Sequence, residues 1–292
     1  MSKANKKVKA RLTKGERVAS NISTLLTAMV GFLFIVPLFW IVVSTFKVDA
    51  EIHRAGGFII LPITWTMDNL WNILDPANTF LPVVRWFFNS MIVSTSHTIL
   101  ALFVFSSSAY AYAKLQFKGK HVIFLGMLFL SSFPAIVNII PLYYIMLTFG
   151  WLNSPLALVI PGLSGVFSIF LIRQFMYGIP KDLLDSAKID GCGEFRIYGQ
   201  IMVPLCKPIL IIVGLFSFTG NWNDFLWPSI AINDLNRLTL TPGLQLARGQ
   251  FLANLPQMSA IAVIAIFPMV IIFLFAQRYF IRGVSLSSGV KG

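Results

Sequence analysis

The chain has 292 residues, of which 57% are apolar and 12% charged, and its mean hydropathy is +0.78. Soluble domains carry about a quarter charged residues, so this composition excludes an ordinary soluble domain and favours an integral membrane protein. The formal net charge is +12, but no groove-reading motif accompanies the basic residues, which argues against nucleic-acid binding.

Six apolar runs are long enough to cross a hydrocarbon core of about 30 Å, which takes about 20 helical residues. These runs are 22–46, 87–113, 122–147, 156–177, 209–232 and 258–281. We expect interruptions at Pro134 and Pro141 in the third run and at Pro161 in the fourth, which only a packed bundle tolerates. The sequence predicts an all-α integral membrane protein with six transmembrane helices and one membrane domain, 22–281.

Basic residues predict the orientation of these helices. The segments 1–21, 114–121, 173–208 and 278–292 hold 18 of the 23 Lys and Arg residues. If these segments are inside, the charge is +13 inside and −1 outside, so both termini are predicted to be cytoplasmic. The basic tail, 1–21, would face lipid headgroups, and a short C-terminal tail, 282–292, would follow the last helix. The run behind the basic tail is too long for a cleaved signal peptide.

The two larger outer loops have different patterns. In the first, about 47–86, Thr66 or Asp68 is suited to cap a short helix. The second, about 233–257, is polar and rich in turn residues.

A charged, Gly-punctuated segment separates the fourth and fifth runs, at about 178–208. Pro180 is suited to the start of a short helix, and Gly191 to its end. A second short helix is predicted from residue 194 to about 203, broken by Pro204. On residue patterns alone, an ordinary amphipathic connector and a docking element are equally good interpretations.

The segment resembles a signature in the permease subunits of bacterial ATP-binding cassette importers, and most of all the maltose-type, carbohydrate-uptake permeases. The matching residues are Ala187, Asp190, Gly191, Phe195, Ile201, Pro204, Leu205 and Pro208. Departures from the signature are Asp185, Ser186, Cys192 and Gly193. The resemblance continues at 171–175, 221–226 and 289–292.

The resemblance implies that this two-helix segment is the coupling loop, which docks into a cytoplasmic ATPase subunit. The residues assigned to ATPase coupling are Leu183, Leu184, Asp185, Ser186, Ala187, Asp190, Gly191, Phe195, Tyr198 and Pro204. It also implies a bacterial plasma-membrane location and a set of partners: a sister permease, two ATPase subunits and an extracytoplasmic solute-binding protein. Sugar released by the binding protein would cross between the two permeases.

No catalytic constellation is present in the sequence. It has no Gly-rich phosphate loop, so ATP and Mg²⁺ are expected on the partner ATPase subunits and no cofactor on this chain, which is predicted not to be an enzyme. Cys192 and Cys206 are expected to be free thiols. His97, alone in its apolar run, is expected to hydrogen-bond to a neighbouring helix.

Asn221, Trp222, Asn223 and Asp224 form a polar cluster about 24 Å along the fifth predicted helix. An ionisable group at membrane depth indicates function unless protein or water satisfies it. The cluster has the chemistry of a sugar site, with a ring, amides and a carboxylate. The alternative, which we favour, is that these residues pack the outer gate or the dock for the binding protein. In either case we expect Trp222 and Asp224 to face the cavity between the subunits or its gate, and not lipid.

A secondary transporter driven by an ion gradient is the alternative class. It requires intramembrane carboxylates and inverted repeats. Asp224 is the only acidic residue within the six runs, and the two halves of the sequence show no evident similarity.

Overall fold

The computed structural model describes residues 14–52, 60–75, 81–250 and 254–288. Within these ranges the chain forms helices and turns without strands, which confirms the all-α prediction. In chain order the helices are α1 (Lys14–Thr45), α2 (Asp49–Ile52), α3 (Asp68–Leu74), α4 (Val83–Lys114), α5 (Lys120–Ser131), α6 (Ile139–Thr148), α7 (Pro155–Val159), α8 (Val166–Tyr177), α9 (Lys181–Ile189), α10 (Glu194–Arg196), α11 (Val203–Leu205), α12 (Lys207–Trp222), α13 (Leu226–Ala231), α14 (Leu240–Gln250) and α15 (Leu255–Ser288). The predicted tail residues 1–13 and 289–292 lie outside the described residues.

Three of these helices are long and apolar enough to cross a membrane without interruption. They are α1, α4 and α15, with apolar lengths of 28, 32 and 23 residues, or about 42, 48 and 35 Å at 1.5 Å per residue. Three further crossings are possible if each of three bent helix pairs counts as one span, which gives up to six. The helix α1 begins at Lys14, eight residues before its predicted start.

The bends lie where the backbone cannot continue a straight helix. The α5 and α6 segments meet at 93° beside Pro134, and the two halves around α7 and α8 meet at 48° beside Gly165. The predicted interruption at Pro134 is therefore confirmed, and Pro161 opens a separate 3₁₀ turn. Pro141 interrupts nothing, because it lies in the first turn of α6, where a missing N–H needs no helical partner.

The helix α4 is the centre of the bundle, packing against α8 along one side and α12 along another. Two apolar cores form along it. The first contains Trp86 and Val93 near its start, and the second contains Phe105, Ala109 and Tyr110 near its end. The helices α1 and α12 also pack against α15.

The fifth predicted span is wrong in its extent. The helix α12 ends at Trp222, Asn223 and Asp224 form a turn, and α13 starts at Leu226. The Asn and Asp side chains compete with the helix for backbone hydrogen bonds, which favours a helix end at such a cluster. Asp224 therefore lies at a break between helices and not inside one.

The helix α3 begins at Asp68, within the stretch where a helix start was expected. The predicted cap is wrong, because the N-cap position is Met67 and no side-chain cap hydrogen bond forms there. The second loop contains a helix that was not predicted, α14, at Leu240–Gln250. Its Pro242 lies in the first turn, so the loop's turn residues are compatible with a helix start.

The first core, which contains Trp86, fixes α14 closely against α4. The Trp86 side chain is fully buried, and its Nε1 donates to the Leu235 carbonyl over 2.7 Å. Gly243 lies against this ring so closely that a Cβ at that position would overlap Trp86. The ring is held by both packing and a hydrogen bond, so it has little freedom to move away.

We therefore predict that Gly243→Ala destabilises the protein by about 1–3 kcal/mol through overpacking. Gly249→Ala is the matched control, because it lies in the same helix with open space at its Cβ position. It should leave stability unchanged or slightly higher, since Ala favours helix over Gly. Thermal unfolding of both variants in detergent measures the difference, and equal unfolding temperatures would contradict the prediction.

Candidate functional site

The segment between α8 and α12 folds as two helical pieces joined by a tight turn. Gly191 has φ +79, a left-handed conformation that glycine adopts without strain. The Gly191 N–H donates to the Lys188 carbonyl over 3.0 Å, and the Cys192 N–H to the Ala187 carbonyl over 2.9 Å. These two bonds make a Schellman end to α9, so Gly191 sets the angle between the two pieces.

The second helical piece runs from Glu194 to Leu205, with a π-helical stretch at Ile197–Met202 between α10 and α11. Pro204 lies inside this piece, so the prediction that Pro204 ends the helix is wrong. A proline removes one hydrogen bond and crowds the carbonyl four residues earlier, and the widened π turn accommodates that conflict. The 80° bend follows at Cys206, directly before α12.

The residues assigned to ATPase coupling fall into two groups. Leu184 and Ala187 are buried in the second core, the one that contains Phe105 and Tyr110, and Tyr198 is half-buried. Leu183, Asp185, Ser186, Asp190, Gly191, Phe195 and Pro204 are exposed. The first group holds the loop on the bundle, and the second faces outward.

Phe195 is 94% exposed and Ile189 is 87% exposed, an unusual degree of exposure for large apolar residues at the end of a helical hairpin. Ile189 was not among the residues predicted from the sequence. A helical wheel contains the signal, since at 100° per residue Ile189 lies 200° from Ala187, which is buried. Together with Leu183, these residues form what we call the exposed apolar tip of the loop.

The loop is attached to α4 by a small polar network. Glu194 is its centre: its Oε1 lies 2.7 Å from Lys188 Nζ, and its Oε2 accepts from the Tyr110 hydroxyl over 2.5 Å. The hydroxyls of Tyr198 and Ser106 share a further bond of 2.7 Å. Since Ser106 donates its one proton to the Leu102 carbonyl, Tyr198 is the donor.

Both charged groups of this network are stabilised in their ionised forms. The hydrogen bonds from Lys188 and Tyr110 lower the pKa of Glu194 below its usual 4.5. The bond to Glu194 raises the pKa of Lys188 above its usual 10.5. A carboxylate with a lowered pKa contributes stability that is lost only as pH falls through that lowered value. The network is therefore intact throughout the neutral range.

We predict that Tyr110→Phe loosens the coupling loop while leaving the bundle folded. The hydrogen bond lost is one to a charged group, and because Glu194 is partly exposed we expect an effect of about 1 kcal/mol. This corresponds to about fivefold faster amide exchange in residues 188–198.

Tyr112→Phe is the matched control, because the Tyr112 hydroxyl donates only to the Met127 sulfur, a weak acceptor. Hydrogen exchange with mass spectrometry on both variants tests the network, and equal exchange rates in the loop would contradict it.

A second candidate site is a cleft of about 440 Å³ inside the membrane domain. One face of α12 and the following turn line it with Ser217, Gly220, Asn221 and Asp224. Ser217, Gly220 and Asn221 lie on one face of α12, and Asp224 follows in the turn after that helix. The polar lining also includes His97 on α4, Ser168 on α8 and the Trp227 indole on α13, and apolar residues complete it: Phe105, Leu142, Leu158 and Phe216.

The polar groups of the cleft differ in how they are satisfied. Asn221 Oδ1 accepts from Ser94 over 3.1 Å, and Asp224 Oδ1 accepts from the Trp227 N–H over 3.4 Å. The Ser217 hydroxyl is buried from solvent yet has no partner in the part of the chain that the structure describes. Buried hydroxyls are normally paired, so the Ser217 hydroxyl is an exception in the wall of the cleft.

Trp222 does not line the cleft, which corrects the expectation that it faces a cavity. Its ring is 2% exposed and stacks on Phe218 with centroids 5.7 Å apart. Its Nε1 donates to the Ala265 carbonyl over 3.1 Å, and its own carbonyl accepts from Thr241 over 2.9 Å. Trp222 therefore ties α12 to α15 and α14. Asn223 is exposed beside it.

His97 is where it was expected to be. Its Nδ1 lies 2.9 Å from the Val159 carbonyl, so that nitrogen carries the proton. The ring also lies against Gly162 so closely that a Cβ there would overlap it. This histidine fixes the α7 region to α4 and contributes one edge of the cleft.

Side chains suited to metal binding do not cluster in the described ranges. No group of three or more His, Cys, Asp or Glu residues lies close enough there to hold a metal ion. Cys192 and Cys206 are free thiols, as expected.

Comparisons with known proteins bear on both sites. The family described as binding-protein-dependent transport system inner membrane component matches residues 108–286. The chain is 34% identical over 270 residues to the arabinooligosaccharides transport system permease protein AraQ of Bacillus subtilis (strain 168), covering 92% of this chain and 95% of that protein. It is 30% identical over 284 residues to the diacetylchitobiose uptake system permease protein NgcG of Streptomyces coelicolor, covering 96% and 92%.

A solved structure has the same fold. It is the crystal structure of a bacterial ABC transporter involved in the import of the acidic polysaccharide alginate, with a TM-score of 0.81 and 20% identity, covering 93% of this chain and 100% of that chain. The residues that the family matches, 108–286, include the two-helix segment and the cleft residues on α8, α12 and α13. The chain belongs to the inner membrane component family of binding-protein-dependent transport systems, among its carbohydrate-uptake permeases of ATP-binding cassette importers.

Proposed function

We propose that this chain is one of two permease subunits that form the membrane path of a sugar importer. Its relatives carry names that refer to arabino-oligosaccharides, diacetylchitobiose and, at 32% identity, sulfoquinovosyl glycerol. The observation that carries the proposal is the pairing of a polar cleft inside the bundle with an exposed apolar tip on a loop fixed to the same helix, α4.

The full arrangement in the membrane has six spans with both termini in the cytoplasm. In this arrangement each bent helix pair is one crossing, and the orientation of the helices follows from the positive-inside rule. The transporter is completed by a sister permease, two ATPase subunits and an extracytoplasmic solute-binding protein. It resides in the bacterial plasma membrane. ATP and Mg²⁺ belong to the ATPase subunits, so this chain is not an enzyme.

In this proposal the apolar tip inserts into a groove of an ATPase subunit. Leu183, Ile189 and Phe195 would be removed from water there, and each large apolar side chain so buried contributes about 1.5–3 kcal/mol. Closure of the ATPase pair on ATP would move the tip. The Glu194 network and the buried Leu184 would transmit that motion to α4, which borders the cleft, and so bias the inward-open and outward-open states.

The cleft supports a neutral saccharide better than an acidic one. Its wall on this chain carries the Asp224 carboxylate and no Lys or Arg. A uronate would be repelled by that carboxylate without a compensating cation. Hydroxyl, amide and carboxylate groups together with the Trp227 ring are the partners that sugar hydroxyls and sugar faces require.

Gly191→Val should uncouple ATP hydrolysis from transport while membrane insertion stays normal. The position has open space around it, so the effect would come from forcing a β-branched residue to φ +79. Gly193→Val is the matched control, since Gly193 also has open space but φ −73, which valine adopts readily.

Sugar uptake and sugar-stimulated ATPase activity of the reconstituted complex measure coupling. We expect uptake to fall at least about tenfold for Gly191→Val, because the strain at the turn is on the order of 1–2 kcal/mol. Uptake by the Gly193→Val complex should be near normal. Normal uptake with normal ATPase stimulation in the Gly191 variant would contradict the role assigned to the turn.

Asp224→Asn should reduce uptake in a way that depends on the sugar, because Asp224 and the unpartnered Ser217 hydroxyl line the same cleft. We expect uptake of the preferred sugar to fall about tenfold, which is the effect of losing one hydrogen bond to a charged group. Asn223→Ala is the control, since Asn223 is exposed and does not line the cleft. A uniform loss for all sugars with altered basal ATPase activity would assign Asp224 to the outer gate instead.

A further inference from the structure

A basic pocket lies on the side of the bundle that carries the coupling loop. It has a volume of about 460 Å³ and is formed by the end of α4, the start of α5, the end of α8 and one side of α9. Its charged lining residues are Lys114, Lys120, His121, Lys181, Asp185 and Lys188. Neither Ile189 nor Phe195 lines it, so it is separate from the apolar tip.

The positive charge of this pocket is not neutralised within the described residues. Lys188 has an ion-pair partner, Glu194. Lys114 and Lys120 donate to backbone carbonyls, those of Ile179 over 2.8 Å and Leu115 over 2.7 Å. No carboxylate in the described ranges lies within ion-pair distance of Lys114, Lys120 or Lys181, and Asp185 is the one acidic residue of the lining.

Covering these lysines costs free energy unless a ligand neutralises their charge. Lys120 is only 7% exposed, and a buried ammonium group normally has an anionic partner. An ammonium has three donors, and the backbone bonds of Lys114 and Lys120 use one each. The remaining donors, with Lys181 on the facing helix, make a cluster suited to the oxygens of a phosphate.

The surface beside the pocket indicates what else the ligand carries. The helix α5 continues directly from Lys120 and His121 into exposed apolar residues, with Val122 77% exposed and Leu125 64% exposed. This helix is half of a possible membrane span. A ligand whose phosphate lies in the pocket would therefore have hydrocarbon-compatible surface next to it, which a free inorganic anion does not use.

We propose that this pocket binds the phosphate headgroup of an anionic phospholipid from the leaflet that borders the coupling loop, with an acyl chain along α5. Basic pockets between membrane helices are a known form of lipid site. Because α9 supplies Lys181 and Lys188 while α4 and α5 supply Lys114 and Lys120, the bound lipid adds a further attachment of the loop to the bundle, besides the Glu194 network and the buried Leu184 and Ala187.

Native mass spectrometry of the purified full complex, released from nanodiscs that contain phosphatidylglycerol and phosphatidylcholine, tests the proposal. Each lysine that contacts the headgroup should contribute about fivefold in lipid retention. Lys181→Gln, which changes an exposed residue, should lower retained phosphatidylglycerol by about fivefold, and Lys120→Gln with Lys181→Gln by more. Lys118→Gln is the matched control, since Lys118 is exposed in the same connection and does not line the pocket.

Three results would overturn the assignment. The first is equal phosphatidylglycerol retention in the Lys181→Gln and Lys118→Gln complexes. The second is retention of phosphatidylcholine at the same level as phosphatidylglycerol in the unchanged complex. The third is displacement of the bound lipid by millimolar inorganic phosphate, which would make the pocket a site for free anions. Lipid retention does not depend on sugar transport, so these outcomes are independent of the proposed function.

Discussion

The packing of α4 between α8 and α12 is the contact on which the rest of the structure depends. In a bilayer every backbone group must be satisfied within the protein, so the breaks in α7–α8 and after α12 are tolerated only where another helix covers them. The helix α4 provides that cover: His97 donates to the Val159 carbonyl at one break, and Ser94 donates to Asn221 near the other. The cleft exists because these breaks are held open beside an unbroken helix.

The same helix links two chemically different ends. Its first turns carry Trp86, which fixes the outer helix α14, and its last turns carry Tyr110 and Lys114, which hold the coupling loop. Protein interiors are densely packed and transmit displacement instead of absorbing it. A movement of the loop therefore has a direct mechanical route to the first core, through one continuous helix of 32 residues.

The coupling loop combines a firm attachment with a free surface. Leu184 and Ala187 anchor one side of α9 in the second core, while Ile189 and Phe195 remain exposed. An isolated two-helix hairpin of this size would be marginal, so its buried side is required for the exposed side to keep its shape. The turn at Gly191 and the Glu194 network fix the angle at which the apolar tip is presented.

The sequence by itself determined the all-helical class, the long apolar helices, the place of the two-helix segment between the fourth and fifth apolar runs, and the family. Each of these follows from local pattern: apolar run length, Pro and Gly positions, and a short signature around Asp190 and Gly191. The His97 hydrogen bond to a neighbouring helix was also predictable, because a lone histidine among apolar residues needs a partner.

Tertiary structure decided what each residue faces. Trp222 and Asp224 are two residues apart, yet one is buried in the core and the other lines the cleft. The helix α14 was likewise unpredictable, because packing against α4 and α15 outweighs weak local preferences. The lysines of the basic pocket come from three separate helices, and only the fold, by bringing those helix ends together, creates their shared charge.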